Sequence, residues 1–253
     1  MSERKTIYLC LAHMSEAGLE QKYVKEAFDT NWVVPMGPNV NAFEKDLENF
    51  VNSRAPLRQV QSAYPETTAA SSKQAVEPLD RKVVCLSAGT AAVHLALIGC
   101  GVKAGDEVLV QSYTFCASSH PITYLGAHPV FVGSEGETWN MDPALLEKAI
   151  LDRKAKTGRY PKAIVPVALY GMPYRIDEIL SIADRYGIPV VEDAAEGMGS
   201  RFNGQVLGTF GKYGVLSFNG NKMITTSGGG ALICRNAEDA NEIMWYATQA
   251  RDA

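Results

Sequence analysis

One lysine, Lys222, lies between a short apolar run and three consecutive glycines in the segment LSFNGNKMITTSGGG, residues 216–230. A lysine amine is almost wholly protonated at neutral pH and is then a poor nucleophile. A lysine framed in this way therefore suggests Schiff-base chemistry with a carbonyl compound. The alternative at this point is a solvated lysine in a glycine-rich hairpin.

Two other segments supply groups that complement such a lysine. In IPVVEDAAEGMG, a buried strand is predicted at residues 188–191, and Asp193 follows at its carboxyl end, where open α/β sheets bind ligands. In VVCLSAGTAAVHLAL, a strand is followed by a turn of small residues, 87–90, and by a helix whose first N–H groups suit a phosphate. An amine, a carboxylate and a phosphate cradle are what pyridoxal 5'-phosphate (PLP) needs.

The elements that must position these groups alternate regularly between strands and helices. Strands are predicted at residues 83–86, 107–111, 129–132, 163–168 and 189–191, and helices at residues 91–100, 116–125, 143–151 and 176–186. This alternation predicts an α/β fold with a mostly parallel sheet and helices on both faces. Strands at 214–218 and 230–234 bracket the lysine, and a last helix begins at Ala237.

The beginning of the chain is organised differently. Apolar residues at helical spacing occur at 19–29 and again at 42–51, on either side of a Pro-Met-Gly-Pro turn. We therefore expect an N-terminal arm over residues 1–34 and one large domain over residues 35–253. Residues 53–80 are rich in Ala, Ser, Thr, Gln and Pro without a clear period, which predicts a loop insertion without chemistry.

Composition favours a cytoplasmic enzyme and disfavours several other classes. The 253 residues are 46% hydrophobic and 21% charged, which is enough to bury a substantial core. The net charge of -4 disfavours a nucleic acid partner. The five cysteines show no CxxC spacing, so neither a disulfide framework nor a metal site is expected. No apolar run approaches the length of a membrane span.

Four motifs occur in a characteristic order: LSAGTAAVHLAL, VLVQSYTFCA, VVEDAAEGMG and the segment from Ser217 to Gly230. On these motifs the chain resembles the DegT/DnrJ/EryC1/StrS sugar aminotransferases, which are PLP enzymes of fold type I. The resemblance runs from about residue 35 to the end. It implies the PLP-binding large domain of that fold, with the family's smaller C-terminal domain missing from this sequence.

Within the family, SFNGNK, ITTSGGG and the early segment QKYVKEAFDTNWVVPMGPNV look most like the C4 transaminases that make UDP-4-amino-4,6-dideoxy-GlcNAc, a precursor of bacillosamine and legionaminate. This narrower resemblance implies transfer of an amino group from an amino acid, expected to be L-glutamate, to C4 of a UDP-4-keto-6-deoxy-N-acetylhexosamine. It also implies a homodimer, because the family's active site lies at a two-fold interface.

The resemblance assigns roles to individual residues. Lys222 matches the lysine that holds PLP as a Schiff base and then moves a proton. Asp193, 29 residues earlier, matches the aspartate that pairs with the pyridine nitrogen and keeps it protonated. These two are the predicted catalytic residues. Gly89, Thr90 and Ala91 are expected to bind the phosphate through backbone N–H groups, with help from the Thr90 hydroxyl.

Three further cofactor contacts are expected from the same resemblance. Phe115 takes the position of the aromatic residue that stacks on the cofactor ring. Ser217 matches a serine that also reaches the phosphate. Glu196 falls where many relatives have glutamine or histidine near the 3'-oxygen, and a carboxylate can accept a hydrogen bond there only if a proton is shared. Asn219 and Asn221 flank the glycine before Lys222 and are candidates for contact with the substrate, but the sequence assigns neither of them a role.

Several alternatives remain open at this point. The enzyme could act on another nucleotide-linked keto sugar, or the chain could be a truncated PLP-fold protein without turnover, such as a sensor. A sugar dehydratase of the same family is disfavoured because those enzymes carry histidine in place of Lys222. A Rossmann oxidoreductase is disfavoured because the glycine clusters at 99–105 and 228–230 do not open a helix after a strand.

Overall fold

The computed structural model describes residues 13–55 and 78–251. Most of the predicted insertion at 53–80 therefore lies outside the described residues, and the proposed boundary between residues 34 and 35 stays a prediction. The helices are α1 (Leu19–Asp29), α2 (Pro38–Val51), α3 (Gly89–Gly99), α4 (His120–Tyr124), α5 (Pro143–Thr157), α6 (Ile176–Tyr186) and α7 (Ala237–Ala247). None of these described helices combines the length and apolar character needed to cross a membrane.

The strands are β1 (Lys82–Leu86), β2 (Glu107–Gln111), β3 (His128–Val132), β4 (Ala163–Val165), β5 (Val191–Asp193), β6 (Arg201–Phe202), β7 (Gln205–Val206), β8 (Tyr213–Ser217) and β9 (Gly230–Cys234). Parallel bridges between Ile164 and Val190 and between Val167 and Asp193 join two groups of strands into one sheet, ordered β1-β9-β8-β5-β4-β2-β3. Within it, β9 alone runs antiparallel to its neighbours. The predicted mostly parallel α/β sheet is confirmed.

Two hydrophobic cores cover the two faces of this sheet, because successive strand residues point to opposite sides. In β1, Val83 belongs to the core beneath α2, α5 and α6, whereas Val84 belongs to the core beneath α3, α4 and α7. The predicted placement of helices on both faces is therefore confirmed. Helix α1 contributes no buried residue to either core.

Prolines account for two differences from the predicted elements. The single helix predicted over 116–125 is instead a 3₁₀ turn at Cys116–Ser118 followed by α4, because Pro121 favours the first turn of a new helix. Strand β4 ends at Val165 because Pro166 has no N–H to donate, although its carbonyl accepts the Asp193 N–H at 2.9 Å. Asp193 is thereby the last residue of β5, whereas the sequence predicted that it follows the strand.

Candidate active site

A cavity of about 420 Å³ opens where β1, β5 and β8 end. These three strands run in the same direction, so their carboxyl ends meet at one edge of the sheet, where ligands bind in open α/β folds. Every predicted site residue except Ala91 lines this cavity: Gly89, Thr90, Phe115, Asp193, Glu196, Ser217 and Lys222. Ala91 lies in the first turn of α3 and does not line the cavity.

The start of α3 forms one end of the cavity. Its preceding residue, Ala88, is extended and provides no side-chain cap, so the first N–H groups of the helix have no partner within the helix. A Cβ on Gly89 would lie 3.0 Å from the Ser217 Cβ, and a Cβ on Gly230 would lie 2.4 Å from the Gly89 nitrogen. The two glycines thus let the helix start approach β8 and β9 closely. Together with the Ser217 hydroxyl, this end suits an anion.

The carboxylate of Asp193 lies on another wall and is held in a fixed orientation. The residue is 5% exposed, its Oδ2 accepts the Ser118 hydroxyl at 2.5 Å, and its Oδ1 accepts the Ala195 N–H at 3.2 Å. Burial raises the pKa of Asp193, and the hydrogen bond from Ser118 and the charge of Lys222 oppose that rise. A carboxylate held in this way can pair with a protonated ring nitrogen.

Lys222 turns back towards the cavity from the loop between β8 and β9. Its side chain is 15% exposed and its Nζ lies 3.5 Å from the Glu196 Oε1. The other oxygen of Glu196 accepts the Tyr170 N–H at 2.7 Å, and Tyr170 has a left-handed backbone with φ of 51°. The loop itself is closed by a hydrogen bond from the Phe218 N–H to the Gly229 carbonyl. This geometry does not match a solvated lysine in an open hairpin.

Phe115 is 75% exposed and lines the cavity wall rather than a hydrophobic core. It also borders a second cavity of about 290 Å³, which adjoins the first at Asp193, Glu196 and Lys222. Tyr113 and Tyr170 complete the outer part of this second cavity. A planar group in the first cavity would therefore have an aromatic side chain beside it and space for a further ligand next to the lysine.

Sequence reasoning left some of the residues that shape the site without a role and missed others. Asn219 and Asn221 line the first cavity, where the Asn219 Nδ2 donates to the Asn221 Oδ1 at 2.9 Å. Their place beside Lys222 was a usable signal, but the sequence does not give the direction of either side chain. Ser118 gave no signal at all, because it meets Asp193 across 75 positions of sequence. Tyr113 stands in the SYTF motif two residues before Phe115.

Proteins of known sequence and structure resemble this chain over most of its length. It is 44% identical to EpsN of Bacillus subtilis (strain 168) over 248 residues, which are 98% of this chain and 56% of EpsN. It is 36% identical to the GDP-perosamine synthase of Escherichia coli O157:H7, over 89% of this chain and 53% of that enzyme. The chain thus spans about half the length of the curated relatives it matches.

The crystal structure of NtdA from Bacillus subtilis with bound cofactor PMP has the same fold. Its TM-score is 0.72 at 27% identity, over 92% of this chain and 45% of NtdA. The family model of the DegT/DnrJ/EryC1/StrS aminotransferases matches residues 74–252, a range that contains the start of α3, strand β5 and the Lys222 loop. The expected PLP aminotransferase fold is confirmed, and its cofactor class is confirmed among the relatives. The chain belongs to the DegT/DnrJ/EryC1/StrS aminotransferase family.

Proposed function

We propose that this chain is the cofactor-binding part of a PLP-dependent aminotransferase that acts on a nucleotide-linked keto sugar. The observation that carries the proposal is one cavity in which the uncapped start of α3, the buried Asp193 carboxylate and the Lys222 amine meet. The bound PMP of NtdA and the activity named for GDP-perosamine synthase support it.

The residues around the cavity fit PLP. A Cβ on Gly89 would crowd Ser217, so the backbone is left bare at the end where a phosphate would meet helix N–H groups. The Asp193 carboxylate, at the end of β5, is the acidic group in this cavity that would pair with a pyridine nitrogen. When bound, PLP supplies an electron sink that stabilises negative charge at the carbon next to an amine.

The chain's own residues supply binding and proton transfer. Lys222 presents an amine that would hold the cofactor and that could move a proton at the α-carbon of the amino donor. Glu196, 3.5 Å from the Lys222 Nζ, is placed to share a proton with that amine or with a neighbouring oxygen. Asp193 would pair with the ring nitrogen and keep it protonated, and Phe115 would exclude water from one side of the ring.

For the substrate we propose the finer assignment, a UDP-4-keto-6-deoxy-N-acetylhexosamine aminated at C4 with L-glutamate as donor. The resemblance of SFNGNK and ITTSGGG to the C4 transaminases supports this sugar. The second cavity supports the placement of a polar ligand beside Lys222, since Tyr113, Thr114 and Tyr170 line it. A GDP-linked keto sugar is the competing substrate, favoured by the similarity to GDP-perosamine synthase.

We further propose a homodimer located in the cytoplasm. Large apolar side chains are exposed near the mouth of the cavities, including Tyr170 at 71% and Met223 at 77%, and a partner subunit would cover such a surface. The cysteines within the described part of the chain are all free thiols, which suits a reducing compartment.

An absorbance experiment tests this function. PLP is added to the purified protein, followed by L-glutamate and then by the UDP-linked or the GDP-linked 4-keto sugar, with Lys222→Ala as the matched control. We expect a PLP spectrum that glutamate converts and that only the UDP-linked sugar restores. A spectrum that glutamate leaves unchanged would contradict the aminotransferase assignment. Restoration of the PLP spectrum by the GDP-linked sugar alone would contradict the proposal of a UDP-linked substrate.

A further inference from the structure

Two hydroxyl groups, of Thr114 and Ser118, form a chain of hydrogen bonds that ends at the carboxylate of Asp193. Ser118 is 1% exposed, and its Oγ lies 2.5 Å from the Asp193 Oδ2. The Thr114 Oγ1 lies 2.8 Å from the same Ser118 oxygen. Both residues belong to the segment that follows β2, whereas Asp193 ends β5, so the contact joins two separate parts of the cavity wall.

The direction of these hydrogen bonds follows from the number of protons. A serine hydroxyl has one proton, and an ionised carboxylate can only accept. Ser118 therefore donates to Asp193, and Thr114 must donate to Ser118. Each donor strengthens the next, and a hydrogen bond to a charged acceptor is stronger than one between neutral groups.

The pKa of Asp193 depends on the charges and hydrogen bonds around it, including the hydrogen bond from Ser118. Burial of Asp193 raises its pKa, and the charge of Glu196 raises it further, whereas Lys222 and the Ala195 N–H lower it. The Ser118 hydrogen bond is the strongest of the influences that oppose burial. Without it, a larger share of Asp193 would be protonated and unable to pair with a protonated ring nitrogen.

We propose that Ser118, with Thr114 behind it, is a positioning residue that keeps the Asp193 carboxylate ionised and correctly oriented before the cofactor binds. This inference rests on the proposed function in one respect, namely that the Asp193 carboxylate pairs with the ring nitrogen of PLP. The effect on Asp193 itself belongs to the protein without cofactor and can be measured there.

Ser118→Ala removes the donor, and Ser119→Ala is the matched control because, among the described residues, the Ser119 hydroxyl bonds within its own turn, to the Cys116 carbonyl at 3.2 Å, and not to Asp193. In the cofactor-free protein, the loss in unfolding midpoint caused by Ser118→Ala should grow as the pH rises from about 4.5 to about 8, because only the ionised carboxylate misses the donor. Ser119→Ala should show no such trend. Thr114→Val, which leaves all direct contacts of Asp193 in place, should show the same trend more weakly.

PLP binding gives the second measurement. Loss of a hydrogen bond to a charged group predicts that Ser118→Ala raises the Kd for PLP about tenfold at neutral pH relative to Ser119→Ala. Equal affinities together with parallel stability curves would overturn the role of Ser118 while leaving the proposed function intact. If the wild-type protein binds no PLP, the proposed function is contradicted, and the stability curves still decide the effect of Ser118 on Asp193.

Discussion

Replacing Gly89 with alanine tests the anion cradle at the start of α3. The new Cβ would lie 3.0 Å from the Ser217 Cβ and 3.2 Å from its Oγ, whereas ordinary contacts begin at 3.4 Å. The overlap is relieved when either the helix start or Ser217 moves by a few tenths of an ångström. Gly89 does not have a left-handed backbone, so the substitution adds no backbone strain.

The expected cost appears in cofactor binding and not in folding. A hydrogen bond to a charged group contributes roughly 1.5–3 kcal/mol, so misplacing one N–H of the cradle should raise the Kd for PLP about tenfold. Alanine in place of glycine stabilises a helix interior by roughly 0.5–1 kcal/mol, and at the first residue of α3 it offsets at most that much of the overlap. We therefore expect the unfolding midpoint to stay within about 4 °C of the wild type.

The assay is a PLP titration followed by absorbance, combined with thermal unfolding of the cofactor-free protein. Gly136→Ala is the matched control, because a Cβ there meets no atom within 4 Å and the residue does not line either cavity. An unchanged Kd for Gly89→Ala would refute the placement of the phosphate at α3. A large drop in the unfolding midpoint would show that the close approach serves packing instead.

Three further outcomes are expected. Borohydride reduction of the PLP-loaded protein followed by peptide mass analysis should place the adduct on Lys222, and an adduct on another lysine would contradict the assignment. Asp193→Asn should slow half-transamination about a hundredfold, because it removes a preorganised charge, and an unchanged rate would make the carboxylate purely structural. Burial raises the pKa of Glu192, so the wild-type protein should lose stability as the pH rises through that pKa. Glu192→Gln removes the ionisable group, and its unfolding midpoint should therefore rise relative to that of the wild type between about pH 4.5 and pH 8. A difference between the two midpoints that does not change with pH would contradict this.

Local sequence patterns predicted the seven strands of the large sheet because most of them are buried apolar runs, whereas the two-residue strands β6 and β7 were not predicted. Residues 108–110 and 163–165 are apolar and buried at every position, as expected for strands covered by helices on both sides. Proline accounts for boundaries that hydrophobic periodicity misplaced, at Pro121 and Pro166. The antiparallel direction of β9 was not predicted, since a strand has the same local pattern in either direction.

The antiparallel β9 also explains why the lysine can be part of the site. A parallel strand after β8 would need a crossover to the opposite edge of the sheet, whereas β9 returns directly and leaves the loop with Lys222 at the carboxyl edge. Gly230 then pairs with Ser217 and lies against Gly89, so the end of the Lys222 loop is in contact with the start of α3. Motif order identified these residues in the sequence, but contacts between distant segments, such as Ser118 with Asp193, depend on the way the strands are ordered in the sheet. The hydroxyl behind a recognised carboxylate is therefore the kind of residue that only the folded structure identifies.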